Sequence, residues 1–157
     1  MEIERKFLVK DDSWKSEILK SEKILQFYLT DENQTPTLRL RLKEATGILT
    51  IKYPSTSSSI LIREEFEYEI PVKDVLAQQK SAKGQAIQKT RHHVSGPGNL
   101  VWEVDVFESP KAGLVLAEIE LNNADDRIIL PKWVGEEVTS DAAYSNIKMA
   151  FLDSKPT

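Results

Sequence analysis

The chain has 157 residues, of which 40% are hydrophobic and 29% charged, and its formal net charge is −4. This size and composition predict one globular domain over residues 1–157, and the negative charge argues against binding nucleic acid through a generally basic surface. The absence of cysteine excludes disulfides, thiolate metal sites and cysteine nucleophiles. No stretch approaches the roughly 18 apolar residues of a membrane span, and the acidic N-terminus is unlike a signal peptide. We therefore expect a cytoplasmic protein that does not associate with a membrane.

Alternation of apolar and polar residues, typical of β-strands, dominates the chain. In chain order it predicts strands near residues 2–9, 23–30, 36–44, 47–54, 61–70, 85–95, 100–107 and 114–122. Residues 44–47 and 96–99 predict hairpin turns, and the serine-rich patch at 55–59 predicts a loop between two strands.

Three segments predict helices. One lies near residues 12–20, with Asp12 or Ser13 as its N-cap, a second spans residues 72–80, and the tail at 141–153 predicts a C-terminal helix. Eight mostly antiparallel strands with few helices predict a mainly β (α+β) fold, namely a closed or nearly closed barrel with the helices packed outside it.

Charged residues occupy alternate positions in most of the predicted strands. Successive side chains of a strand point to opposite faces, so Glu2, Glu4 and Lys6 share one face while Ile3 and Phe7 share the other. The same alternation recurs at Arg39/Arg41, Lys52, Glu65/Glu67/Glu69, Lys89/Arg91, Glu103/Asp105 and Glu118/Glu120.

Two arrangements satisfy this alternation. In the first, the apolar faces form the core and the charges face water, which is ordinary for any single strand. In the second, the charges line an aqueous barrel interior and helices cover the apolar outer faces. Like charges two residues apart on a strand lie about 7 Å from each other, so they need counter-charges or bound ions. The residues alone leave both arrangements open.

In the second arrangement the charged residues suit a metal and a polyanion. Carboxylates are natural ligands of Mg²⁺ or Mn²⁺, and guanidinium and ammonium groups match phosphate. The carboxylates that could hold one or two ions are Glu2, Glu4, Glu118 and Glu120. The cations that could hold linked phosphates are Lys6, Arg39, Arg41, Lys52, Lys89 and Arg91.

Other sources of chemistry find less support. His92 and His93 are adjacent in a predicted strand and point to opposite faces, so they cannot bind one ion together. The sequence contains no G-x-S-x-G elbow, no P-loop and no G-x-G-x-x-G motif. Basic residues do not alternate with aromatic ones as in single-strand binding proteins, and no nucleic acid is expected as a partner.

The order of the charged motifs resembles the CYTH superfamily, the triphosphate tunnel metalloenzymes. The opening Glu2-Ile3-Glu4-Arg5-Lys6 is similar to the E-x-E-x-K signature of that family. The motifs that follow it in order are Arg39-Leu40-Arg41, Leu49-Thr50-Ile51-Lys52, Glu65-Phe66-Glu67, Lys89-Thr90-Arg91, Trp102-Glu103-Val104-Asp105-Val106-Phe107, Glu118-Ile119-Glu120, Gly135-Glu136-Glu137-Val138-Thr139 and Tyr144-Ser145-Asn146. The set covers nearly the whole chain, whose compact length is most similar to the small bacterial members of tripolyphosphatase type.

This resemblance implies an eight-stranded antiparallel barrel that forms a charged tunnel. It implies that the six cations hold a triphosphate and that Glu2, Glu4, Glu118 and Glu120 bind Mg²⁺ or Mn²⁺. Glu2, Glu4 and Lys6 of the opening motif are the expected catalytic residues. Glu65, Glu67 and Asp105 are implied as further tunnel acids, and Lys148 is a candidate for a lysine turned toward the tunnel.

The expected activity is metal-dependent hydrolysis of a linear triphosphate, with inorganic tripolyphosphate favoured. One alternative is a class IV adenylate cyclase that converts ATP to cyclic AMP and pyrophosphate; it needs a purine pocket, to which no residues can be assigned from the sequence. Another alternative is a binding module that holds polyphosphate without turnover. The expected partner is a small-molecule triphosphate, and a homodimer through an exposed sheet face or a helix stays open.

Overall fold

The structure, a computed structural model, describes residues 1–57 and 61–152. Its ten strands are β1 (Glu2–Val9), β2 (Ile18–Tyr28), β3 (Thr37–Lys43), β4 (Thr46–Lys52), β5 (Leu61–Arg63), β6 (Glu65–Ile70), β7 (Lys83–Ser95), β8 (Val101–Ser109), β9 (Val115–Glu120) and β10 (Val134–Glu137). Two α-helices accompany them, α1 (Val72–Ala77) and α2 (Asn146–Ala150). Short 3₁₀ turns occupy Ser13–Glu17, Gln79–Ser81, Pro97–Asn99 and Ala142–Tyr144.

The strands form one antiparallel sheet that curls into a nearly closed barrel. Its order is β10-β1-β9-β8-β7-β2-β3-β4-β6. The sheet closes because β5, one residue before β6, pairs with the start of β1 through Glu2–Arg63, Ile3–Ile62 and Glu4–Leu61. The rest of that edge of β1 pairs with β10. The predicted barrel with few helices is confirmed.

The largest apolar cluster packs against the outer faces of β1, β7, β8 and β9. Phe7, Trp102 and Val104 are buried there beside Trp14 from the first 3₁₀ turn and Trp133 from the segment before β10. The ring centroids of Phe7 and Trp102 lie 5.5 Å apart in an edge-to-face contact. On the opposite side of the barrel, Val75 of α1 packs on Phe27 and Leu40.

Part of the barrel interior is also apolar. Leu116, Phe107 and Ile87 lie two residues from Glu118, Asp105 and Lys89 on the same strands, so they share the inward face. They pack on Met149, Ala150 and Phe151 at the C-terminal helix. Helix α2 therefore covers an apolar section of the interior, next to the charged section.

The structure departs from the predicted elements at four places. The helix predicted near residues 12–20 is wrong: only Ser13–Glu17 forms a 3₁₀ turn, because Ile18 already pairs with Val94 as part of β2. The predicted strand at 61–70 is interrupted at residue 64, and β10 was not predicted. The C-terminal helix is shorter than predicted. Residues 58–60 and 153–157, which include Ser58 and Ser59 of the serine-rich patch and Asp153 of the predicted helix, lie outside the described residues.

Each helix in residues 1–57 and 61–152 is too short or too polar to cross a lipid bilayer.

Candidate active site

The charged faces of the strands point into the barrel. Seven charged side chains from five strands are at most 9% exposed, namely Lys6, Arg39, Arg41, Lys89, Arg91, Asp105 and Glu118. Their apolar neighbours in sequence, such as Phe7, Leu40 and Ile119, are buried against the outer layer or the helices. Of the two arrangements open from the sequence, the structure adopts the one with the charges inside.

The charged interior surrounds a cavity of about 170 Å³, which we name the inner cavity. Its basic lining includes Arg39, Arg41, Lys52, Lys89 and Arg91. Its acidic lining includes Glu2, Glu4, Glu65, Glu67, Glu118 and Glu120. Eleven of the predicted site residues thus line one space.

A second space of about 310 Å³, the outer cavity, adjoins the first. The two cavities share Glu4, Arg39, Lys52 and Asn146 as lining residues. The other walls of the outer cavity include Lys6, Tyr28, Tyr53, Arg63, Ile147 and residues 32–35. A ligand held by the shared residues would therefore extend from the inner into the outer cavity.

Burial and mutual repulsion disfavour the charged forms of several cations that line the inner cavity. Burial, with Arg39 and Arg91 close by, lowers the pKa of Arg41 to about 9. Burial also lowers the pKa of Lys89 to about 7, where Arg91 and Arg41 add to the effect and Asp105 opposes it. Arg39 Nε is buried and has no hydrogen-bond partner among the described residues. The basic lining therefore has unmet capacity for an anion.

Asp105 holds two of these cations in place. Its carboxylate accepts hydrogen bonds from Arg91 Nε and Nη2 at 2.8 and 2.9 Å, and Lys89 Nζ lies 2.7 Å from Oδ2. Arg91 and Lys89 hold the pKa of Asp105 well below its ordinary value, although burial acts in the opposite direction. Asp105 lines neither cavity and instead lies behind the two cations.

Four of the acidic residues that line the inner cavity lie on the paired strands β1 and β9. Glu4 lies opposite Glu120 in the ladder, and Lys6 lies opposite Glu118. Burial raises the pKa of Glu4 to about 7, and the adjacent carboxylates of Glu118 and Glu2 reinforce the shift. Burial acts to raise the pKa of Glu118 as well, but Lys6 and Arg91 lower it below its ordinary value.

These acids have the chemistry of a site for a divalent cation. Within residues 1–57 and 61–152, no three carboxylate or imidazole groups converge into a ready-made metal site. The carboxylate oxygens nevertheless fit a hard cation. Glu2 Oε1 is buried and accepts no hydrogen bond in the described part of the chain, and burial disfavours the ionised form of Glu4. A bound cation would relieve both.

Neither Lys6 nor Lys148 lines the inner cavity. Lys6 reaches the outer cavity, where its Nζ donates to the Tyr144 carbonyl at 3.2 Å and lies 3.8 Å from Glu118 Oε1. Lys148 faces neither cavity and instead pairs with Glu32 at 3.0 Å, with about half of its side chain exposed. The tunnel-facing position expected for Lys148 is therefore wrong.

Several polar side chains of the site were not predicted from the sequence, among them Arg63, Gln26 and Asn146. Arg63 lies 3.5 Å from Glu2 Oε1 and 3.7 Å from Glu4 Oε1. Its position two residues before Glu65 places it on the inward face and would have predicted its direction. Gln26 and Asn146 are uncharged, so the charge alternation contained no signal for them.

The two histidines are held outside the site, at opposite faces of β7. Nε2 of His93 lies 2.6 Å from Glu22, and Nδ1 of His92 lies 2.6 Å from Ser21.

Fold and site together define a class of small antiparallel barrels whose interior holds opposed cations and carboxylates around a cavity. Comparison with known proteins makes the assignment specific. Residues 1–151 match the model of the CYTH domain, and the chain belongs to the CYTH family.

Relatives of similar length support this assignment. The chain is 38% identical over 148 residues to an inorganic triphosphatase of Acetivibrio thermocellus, covering 92% of this chain and 90% of the relative. It is 34% identical over 151 residues to an inorganic triphosphatase of Nitrosomonas europaea, covering 95% and 96%. A crystal structure of the inorganic triphosphatase NE1496 superposes with a TM-score of 0.70 at 33% identity, over 94% of this chain and 96% of that chain.

Proposed function

We propose that the protein is a metal-dependent phosphohydrolase that acts on a linear triphosphate, with inorganic tripolyphosphate as the favoured substrate. The observation that carries this proposal is the crowding of Arg39, Arg41, Lys52, Lys89 and Arg91 around one cavity, where burial and mutual repulsion lower the pKa of several of them. Such a set of cations is stabilised by a polyanion. The relatives named inorganic triphosphatase support the same substrate class.

The basic residues would bind the phosphate groups of the substrate and neutralise their negative charge. Arg39 and Arg41 come from one strand and Lys89 and Arg91 from another, so they approach the inner cavity from different walls. Arginine presents a planar fork to phosphate oxygens and lysine a compact charge. Preorganised cations of this kind also stabilise the negative charge that develops while a phosphoryl group is transferred.

Glu2, Glu4, Glu118 and Glu120 are the residues that would hold Mg²⁺ or Mn²⁺. When bound, such an ion supplies neutralisation of phosphate charge and lowers the pKa of a coordinated water. Lys6 would contact the substrate beside these acids, and its position in the lining of the outer cavity, opposite Glu118 on β9, supports this role. One of the glutamates of the acidic lining accepts the proton of the attacking water.

A substrate panel tests the proposal. The purified full chain is assayed for phosphate release from tripolyphosphate, ATP and thiamine triphosphate with Mg²⁺ and with Mn²⁺, and for cyclic AMP from ATP. We expect the highest kcat/KM for tripolyphosphate, and no turnover after Glu4→Gln. Glu17→Gln, which makes the same change at an exposed position of the first 3₁₀ turn, is expected to keep wild-type activity.

Three outcomes would contradict the proposal. Cyclic AMP as the main product from ATP would identify a cyclase. Tight binding of tripolyphosphate without phosphate release in either metal would identify a binding module. Wild-type turnover by Glu4→Gln at saturating Mg²⁺ would refute the assigned metal site.

A further inference from the structure

Asn146 lies at the junction of the inner and outer cavities. It lines both of them, together with Glu4, Arg39 and Lys52. Asn146 is the first residue of α2, and the backbone there is fixed by the cap before it, since Ser145 Oγ accepts a hydrogen bond from Lys148 N at 3.2 Å. The helix thus brings a neutral amide into a lining made mostly of charges.

The hydrogen bonds around Asn146 have only one consistent direction. Arg41 donates from Nε and Nη2 to Gln26 Oε1 at 2.9 and 2.6 Å. Arginine has no acceptor, so the oxygen of Gln26 must face Arg41 and its Nε2 must face Asn146. Gln26 Nε2 lies 3.3 Å from Asn146 Oδ1.

A second donor fixes the same amide orientation. Lys89 Nζ lies 3.0 Å from Asn146 Oδ1 and 2.7 Å from Asp105 Oδ2, and the ammonium form that Asp105 favours donates to the amide oxygen. Gln26 and Lys89 therefore both require the oxygen of Asn146, and its Nδ2 group must point away from them. Nδ2 donates to no residue within 1–57 and 61–152.

We propose that Asn146 is a further substrate-binding residue, whose Nδ2 donates a hydrogen bond to a phosphate oxygen where the two cavities meet. This inference rests on the proposed function, because it assumes a triphosphate in the inner cavity. Arg39 and Lys52, which line the same junction, supply the charge there, while Asn146 supplies a donor of fixed direction. Lys89 and Gln26 act as positioning residues for that donor.

Two substitutions at Asn146 separate this role from a purely structural one. Asn146→Asp keeps an oxygen for Lys89 and Gln26 but removes the donor and adds a negative charge. Asn146→Ala removes both donor and acceptor. Asn123→Asp, on the exposed segment after β9, makes the same chemical change outside both cavities and measures the effect of an added charge alone.

The first measurement is the Kd for tripolyphosphate by calorimetry in EDTA, and the second is kcat and KM with Mg²⁺. Loss of a hydrogen bond to a charged group weakens binding by about 10- to 100-fold. We expect Asn146→Ala to raise both Kd and KM at least tenfold while kcat changes less than threefold. We expect Asn146→Asp to raise Kd by a larger factor, and Asn123→Asp by less than threefold. Urea denaturation of each variant checks that the fold is retained.

Several results would overturn the inference. If Asn146→Asp binds tripolyphosphate no more weakly than Asn123→Asp does, Asn146 serves only as an acceptor for Lys89 and Gln26. If both Asn146 variants bind within twofold of wild type, the residue has no part in binding. Wild-type protein that fails to bind tripolyphosphate would refute this inference and the proposed function together. Wild-type protein that binds without hydrolysis, and loses binding in both variants, would support the inference and refute the hydrolase.

Discussion

Asp105 grips Arg91 through two nearly parallel hydrogen bonds of 2.8 and 2.9 Å, with the carboxylate fully buried. The same carboxylate lies 2.7 Å from Lys89 Nζ, so its single negative charge is shared between two cations. Because Asp105 lines neither cavity, its charge stabilises the basic lining without occupying the space that a ligand would take.

Asp105→Asn is expected to lower the free energy of unfolding by about 3–5 kcal/mol, because it removes the buried carboxylate that pairs with both Lys89 and Arg91. Urea denaturation at pH 7 measures the difference. Asp12→Asn removes the acid from an exposed pair with Lys15 and is expected to cost no more than about 0.5 kcal/mol. Equal, small effects in both variants would contradict the role of Asp105.

Glu4→Gln is expected to stabilise the metal-free protein at high pH. The pKa of Glu4 is raised to about 7 in the fold, so its contribution to stability is present below its ordinary value of 4.5 and is lost as the pH rises through 7. Above pH 8 the ionised carboxyl costs about 3 kcal/mol at most. Urea denaturation in EDTA should show the variant more stable than wild type at pH 8 and similar at pH 4.5. An advantage that does not change with pH would show that Glu4 ionises normally.

Arg41→Ala is expected to raise KM for tripolyphosphate by about 10- to 100-fold and to lower kcat, because a guanidinium that binds the substrate and the developing charge is lost. Steady-state kinetics with Mg²⁺ measures both constants. Arg5→Ala removes an arginine from the outward face of β1, where it pairs with Glu137, and is expected to keep KM within twofold. A similar change in both variants would indicate a general effect of net charge.

Gly84→Ala is expected to destabilise the protein more than Gly98→Ala does. Both glycines have positive φ, 67° and 73°, where a side chain costs about 1–2 kcal/mol. A Cβ at Gly84 would also collide with the Ala150 carbonyl oxygen of α2, whereas nothing lies within 4 Å of one at Gly98. Urea denaturation should give at least twice the loss for Gly84→Ala. Similar losses would mean that α2 moves aside freely.

Most of the barrel follows from residue alternation, and the exceptions have physical causes. A strand is detected by its period of two, so β1, β3, β4 and β8 agree with prediction within about two residues at each end. Strand β10 was not predicted because a segment of four residues is too short to show a clear period. Its extended conformation depends on pairing with β1. The start of β2 was assigned to a helix, yet pairing with β7 determines its structure.

The site residues also divide into those that the local sequence predicts and those that only tertiary contacts bring in. Charged residues at alternate positions, such as Arg39 and Arg41, could be predicted from the sequence. The barrel interior brings in others by tertiary contact alone: Asn146 reaches Lys89 across 57 positions of sequence and Gln26 across 120. The residues next to Gln26 and Asn146 in the sequence form no pattern that predicts such a contact. Arg63 could have been found by extending the parity of Glu65 backwards through the interruption in the strand.

Strand β1 lies between partners that come much later in the chain. Lys6 pairs with Glu118, and Phe7 with Ala117 and Glu137. At about 5–20 residues per second, a ribosome makes β9 and β10 some 5–25 seconds after β1. During that interval only β5 can pair with β1, at Glu2, Ile3 and Glu4, and Phe7 has neither of its ladder neighbours. Closure of the barrel around β1 therefore has to wait until its last strands have been made.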